Sequence, residues 1–208
     1  LPGSGDDVYA NGQIVTIDQN VTCLSLRTEA ESSNGVISGG QFECSITATI
    51  DVRGGIGIRA GTSTALRFTG VAGVQLTVLG NVTGGSATNA RGIEHTGAGN
   101  LVVVGAVAAG TMGGTDGIRG GAGSMSIAGN VTGGGGSNSH GVVNISGTAT
   151  ITGNVTGGAH SAGYGANNES GTLAITGNVT GGYAPGVYNT SGTVTITGDV
   201  FNGTGYGV

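Results

Sequence analysis

Ala149-Thr-Ile-Thr-Gly-Asn-Val-Thr-Gly-Gly158 decides the fold, because the chain repeats this stretch at nearly constant spacing. Gly-Asn-Val-Thr-Gly-Gly begins at Gly80, Gly129, Gly153 and Gly177. A degenerate copy begins at Gly105, and Gly-Asp-Val-Phe-Asn-Gly opens at Gly198. The leading glycines therefore lie 25, 24, 24, 24 and 21 residues apart. A fixed period in the range of about 20–50 residues is the signature of stacked repeats.

Each copy follows an alternating tetrapeptide: Leu76-Thr-Val-Leu79, Leu101-Val-Val-Val104, Met125-Ser-Ile-Ala128, Ala149-Thr-Ile-Thr152, Leu173-Ala-Ile-Thr176 and Val194-Thr-Ile-Thr197. Its first and third residues are apolar, and the second and fourth are mostly Thr, Ser or Ala. This period of two reads as a strand with one buried face. A further landmark, Gly followed by Ile, Val or Ala, recurs at Gly92, Gly117, Gly141, Gly165 and Gly186. Together these marks give three short strands in a coil of about 24 residues. One strand centres on Ile118 or Val142, one is the alternating segment, and one carries the Val of the Gly-Asn-Val motif.

The expected fold is all-β: a single-stranded parallel β-helix, or β-solenoid, right-handed by the default of parallel crossovers. With strands about 4.8 Å apart, about eight coils make a rod of roughly 40 Å. Two inward columns are predicted, Val82-Val107-Val131-Val155-Val179-Val200 and Val78-Val103-Ile127-Ile151-Ile175-Ile196. No coil buries its apolar side alone, whereas stacked coils share one core. Asn81, Asn130, Asn154 and Asn178 are expected to stack as a ladder serving the backbone of the neighbouring coil. So many Gly and β-branched residues exclude a helical alternative.

Residues 1–59 depart from the repeat and are expected to form irregular first coils, or a cap, ahead of regular repeats over 60–208. Val8-Tyr9, Gln13 to Asp18, Cys23 to Leu26 and Ile46 to Ile50 still read as strands. Tyr206-Gly207-Val208 matches the start of a fresh coil, so the sequence is expected to be a portion of a longer protein or to have its end covered by another subunit.

Composition narrows the function. Gly supplies 48 of 208 residues, but only two prolines and no strict Gly-X-Y period leave collagen without support. Abundant Val, Ile and Thr with a net charge of −5 argue against disorder. No apolar run approaches a membrane-spanning helix. The six basic residues, all Arg, are scattered at 27, 53, 59, 67, 91 and 119, which excludes the basic stripe of a nucleic-acid binder. Cys23 and Cys44 lie about one coil apart, where they are either buried thiols or a disulfide between rungs.

The opening Asp7-Val-Tyr-Ala-Asn-Gly-Gln-Ile-Val-Thr-Ile-Asp18, followed by Gly-Asn-Val-Thr-Gly-Gly repeats, resembles repetitive Gly/Thr/Asn-rich β-solenoid proteins of bacteriophage virions and bacterial surfaces, tail-fibre-like proteins among them. The resemblance covers nearly the whole chain through generic motifs. It implies a structural role on a virion surface or outside the cell, and carries over no catalytic residue and no cofactor.

Enzymatic β-helices that cleave polysaccharides need carboxylates gathered on one groove. Here Asp51, Glu94, Asp116, Glu169 and Asp199 do not recur at one coil position, so no catalytic residue is assigned. Glu94 and Arg119 each follow a landmark Gly by two residues and are expected to stack as a surface ion pair of little energetic value. His95, His140 and His160 occupy different coil positions and make no metal set. Gly113-Gly-Thr-Asp-Gly-Ile118 is one imperfect copy of a calcium-binding nonapeptide that works only in tandem. The many Asn-x-Ser/Thr matches, Asn144, Asn168 and Asn189 included, are products of the repeat and say little about glycosylation.

Two surfaces are candidates. The loops after each Gly-Asn-Val-Thr-Gly-Gly vary from coil to coil, and insertions in a solenoid map to one face, often the binding face. Arg91, Asp116, His140, His160, Tyr164 and Tyr183 are expected to project there, toward a cell-surface receptor or glycan. The second surface is the outward face of the alternating strand: a Thr array in the last coils, similar to ice-binding solenoids but confined to part of the stack, and apolar Leu79, Val102 and Val104 earlier. An apolar patch marks packing against a partner, so self-association, as in a trimeric fibre, is expected there. Charged substitutions at Val102 and Val104 should then lower the mass in solution, read by light scattering, and leave the fold unchanged. An unaltered mass would sink the assignment.

The functional expectation is a non-catalytic structural or attachment protein of a phage virion, a fibre or surface decoration. The alternative is a bacterial adhesin or extracellular filament subunit, with a polysaccharide-active enzyme a distant third.

Overall fold

A computed structural model describes residues 2–10, 13–27, 41–55 and 57–205. The proposed fresh coil at Tyr206-Gly207-Val208 lies outside them. The described chain is all-β, with every strand pair parallel, and its strands fall into three sheets of nine, eight and eight strands. Successive strands visit the three sheets in turn, as a solenoid requires. The coil from Val107 is representative: a short strand Val107–Ala108, a middle strand Ile118–Gly120 and a long strand Ser124–Ala128. The fold is a β-solenoid of about 24 residues per coil.

The register matches the predicted columns. Val82, Val107, Val131, Val155, Val179 and Val200 are partners across successive coils. So are Val78, Val103, Ile127, Ile151, Ile175 and Ile196. Most of these side chains are buried in one continuous core, which also holds Phe42, Phe68 and Leu26. In the long strand the core residues alternate with exposed Thr, giving Thr148, Thr150 and Thr152 around buried Ala149 and Ile151. The leading Gly of the motif turns the chain between long and short strands at φ values of 132° to 155° for Gly80, Gly105, Gly153 and Gly177, a region that disfavours any Cβ.

The exterior Asn ladder forms as expected. The backbone N–H groups of Ala106, Asn154 and Asn178 donate to Oδ1 of Asn81, Asn130 and Asn154, each at 2.9 Å. A second ladder, inside the coil, was not anticipated. Asn144 Nδ2 donates to Asn168 Oδ1, and Asn168 Nδ2 to Asn189 Oδ1, both at 2.8 Å. Asn168 Nδ2 also reaches the Ser191 carbonyl at 2.8 Å. Asn144 and Asn168 are fully buried. Two of the Asn-x-Ser matches are thus core hydrogen-bonding residues, closed to any modifying enzyme while the coil is folded.

The amino-terminal strands join the same three sheets, Asp7–Tyr9, Ile14–Ile17 and Val21–Thr22 being the first of each. The strand expected over Cys23 to Leu26 runs instead over Ser25–Arg27, and that over Ile46 to Ile50 over Ala48–Asp51. Cys23 and Cys44 are free and buried, so the thiol alternative holds and the disulfide does not. Burial, helped by the negative charges of Asp7, Asp6 and Asp51, pushes the Cys23 thiol up to about 11. At neutral pH it is protonated and behaves as a small apolar side chain.

Candidate functional site

The middle-strand sheet carries the face where the chemistry-bearing side chains gather. Two rows run along the rod there. One row aligns Glu43, Arg67, Glu94, Arg119, Val143, Asn167 and Tyr188 in register, the last five each two residues after a landmark glycine. The other, immediately before each landmark glycine, holds Arg91, Asp116, His140 and Tyr164. Three of the arginines that look scattered in sequence, Arg67, Arg91 and Arg119, are brought close together here, because a spacing of about one coil becomes one rung.

Alternating signs along the rungs let each charge meet opposite neighbours. Arg67 contacts Glu43 at 3.5 Å and Glu94 at 3.3 Å. Arg91 contacts Glu94 at 3.0 Å and Asp116 at 3.5 Å. Arg119 reaches Asp116 and Glu169, both at 3.7 Å. The expected Glu94–Arg119 pair is in register but is not the contact that forms. Glu94 turns to Arg67 and Arg91, and Arg119 is drawn to the two other carboxylates.

Asp116 is not on a projecting loop as expected. It is 2% exposed, and its Oδ1 accepts the backbone N–H of His140 at 3.1 Å. His140 repeats the device one coil on, its Nδ1 accepting the Tyr164 N–H at 3.2 Å. Each side chain thus caps the backbone of the next coil. Burial lifts the Asp116 carboxyl above the ordinary carboxylate range against the opposing His140 N–H and guanidinium groups. The long guanidinium contacts explain why burial wins.

Burial lowers the pKa of His140. Its neutral form also suits the acceptor role of Nδ1. The ring stacks on Tyr164 at 5.2 Å, and Tyr164 stacks on Tyr188 at 4.9 Å. Both ring faces of Tyr164 are therefore taken, and Tyr188, 47% exposed, ends the stack.

A depressed histidine pKa contributes stability that is present above the unfolded value, about 6.5, and lost as pH falls toward the folded value. Buried His95, stacked on Phe68 at 5.0 Å, is shifted down in the same way. The histidine contribution to stability, read by thermal unfolding, should therefore fall between pH 7 and pH 5, opposed by the raised Asp116 carboxyl, whose burial penalty fades as pH falls. His140→Gln should shrink that acid-induced loss, leaving the His95 share. An unchanged pH dependence in the variant would refute the assignment.

Of the six loop residues proposed from sequence, Arg91, Asp116, His140 and Tyr164 come together. His160 and Tyr183 are exposed apart from them. Tyr188 and Glu169 were missed; Tyr188 obeys the same offset from a landmark glycine, Gly186, that singled out Glu94 and Arg119. On the long-strand sheet Val104 is 47% exposed, with half-buried Leu79 in register beside it and half-buried Val102 two residues earlier on the same strand. Among the described residues no three His, Cys, Asp or Glu side chains converge as a metal-ligand group.

Fold and surface together define a parallel β-solenoid repeat protein with charged and aromatic ladders on one face. Comparison with protein-family models, curated proteins and solved structures finds no match to this chain.

Proposed function

We propose that this protein is a non-catalytic structural or attachment component of a bacteriophage virion, a fibre or surface decoration. Its ladder-bearing face contacts a host-surface glycan, and its long-strand sheet packs against a sister subunit or another virion protein. The observation that carries the reading is that Glu43, Glu94, Asp116 and Glu169 each contact an arginine along a continuous rod. Glycoside cleavage requires a carboxylate pair flanking one bond, whereas this face presents carboxylates held in cross-coil ladders. Such ladders stiffen a rod and leave its outer polar groups for contact. Exposed Val104 beside Leu79 and Val102 supports self-association.

Immunogold electron microscopy of the source material, with antibody raised against this chain, tests the proposal. Gold on virus particles, at tail or capsid, is the expected result. Gold on cell envelopes or free filaments would overturn it in favour of a bacterial adhesin or filament subunit.

A further inference from the structure

The corner after the middle strand lacks one side chain. The hydrogen bonds there run in step: Thr96 N–H to the Phe68 carbonyl, Gly121 N–H to that of His95, Ile145 N–H to that of Gly120 and Glu169 N–H to that of Asn144. Thr96, Gly121, Ile145 and Glu169 are therefore one column, and Gly121 is its gap. The gap opens a cleft of about 260 Å³ lined by Glu94, His95, Thr96, Arg119, Gly121 and Ile145. That volume falls just below the range of about 300–1,000 Å³ usual for small-molecule sites, so the cleft is sized for one small ring.

Its lining is chemically specific. Arg119 meets Asp116 and Glu169 only at 3.7 Å, beyond hydrogen-bond distance, so its N–H groups retain donor capacity toward the cleft. Glu94 Oε1 is taken by Arg91 at 3.0 Å. Its Oε2 lies 3.3 Å from Arg67 Nε, yet that nitrogen has no hydrogen-bond partner, so its N–H is not aimed at the carboxylate. Oε2 is left able to accept. A hydroxyl donates and accepts at once, and a donor guanidinium beside an acceptor carboxylate suits a pair of neighbouring hydroxyls. Glu94 disfavours an anion, and two arginines already neutralise it against a cation. Ile145 gives the cleft an apolar wall.

We infer that this cleft is a saccharide subsite, taking one neutral, hydroxyl-rich sugar ring between Arg119 and Glu94, with Ile145 against its C–H face. The inference rests on the glycan-attachment reading above and gives it a location. The probe is an array of neutral, amino and uronate-containing oligosaccharides, followed by saturation-transfer NMR with the best binder.

A neutral oligosaccharide should bind the wild-type chain, at least tenfold more weakly after Arg119→Gln, and should fail to bind after Gly121→Thr. The second variant fills the gap in the column and so blocks the cleft. A Cβ at Gly121 meets its nearest atom, the His95 carbonyl oxygen, at 3.2 Å, a tight approach but far short of the collision found at Gly110. Circular dichroism establishes that each variant keeps the wild-type fold before its binding is read. If both variants bind as the wild type does, the cleft is overturned while glycan attachment stands. A preference for uronates would overturn the neutral-sugar assignment. If the wild type binds neither the array nor intact host cells, the attachment reading falls as well.

Discussion

Replacing Gly110 with alanine is expected to destabilise the solenoid by about 3 kcal/mol, the upper end of ordinary overpacking costs. A Cβ there would lie 1.4 Å from the Gly85 carbonyl oxygen. The same collision recurs down the column of final motif glycines, at 2.1 Å for Gly158 and 1.6 Å for Gly182. The cause is the stacking itself: coils about 4.8 Å apart leave no room for a side chain directed along the rod. Because the obstacle is backbone, no rotamer change relieves it. Gly113→Ala supplies the contrast, since its Cβ would find nothing nearer than 3.6 Å. It should change stability by less than about 0.5 kcal/mol. Urea unfolding of the two variants checks this, and equal midpoints would show that the coils are not packed as described.

The second large effect is expected at Asn168. Asn168→Asp keeps the shape and the acceptor for Asn144 Nδ2, but removes the donor that serves the Asn189 Oδ1 and the Ser191 carbonyl. At neutral pH it places a carboxylate, in a fully buried position, against two acceptors. An uncompensated buried charge of this kind costs about 3–5 kcal/mol. The sign with pH follows from linkage. The new carboxyl has a folded-state pKa raised above its unfolded value of about 3.9, so its penalty is absent below that value and appears as pH rises through the folded one. The stability gap between variant and wild type should therefore narrow from pH 7 toward pH 4. A gap that stays constant would mean that the position is hydrated and the ladder is not a core element.

These two positions show how differently the fold and the face can be read from the chain. Gly110 belongs to the visible repeat, and its meaning follows once the repeat is stacked. Asn168 sits in Asn168-Glu-Ser-Gly171, which recurs as Asn144-Ile-Ser-Gly147 and Asn189-Thr-Ser-Gly192. That spacing was legible, yet an Asn-x-Ser match reads as a surface feature until the coil geometry turns the side chain inward. The same holds for Asp116, which by type and loop position belongs outside, and is buried because it caps the His140 backbone one coil on.

The chain alone specifies the period, the three strands per coil and the identity of the inward aliphatic columns. It could do so because a strand buries alternate residues, and a repeat of near-constant length forces equivalent residues to stack. The exterior Asn ladder followed by the same rule. Which charges meet, the burial of Asp116, Asn144 and Asn168, the stack of His140, Tyr164 and Tyr188, and the gap at Gly121 emerge only once the coils are stacked. Those outcomes depend on side-chain direction and, for the contacts between coils, on residues about 24 positions or more apart, as with Arg119 and Glu169. A pattern read along one strand does not contain that information, because each rung's neighbours are supplied by the rungs on either side of it.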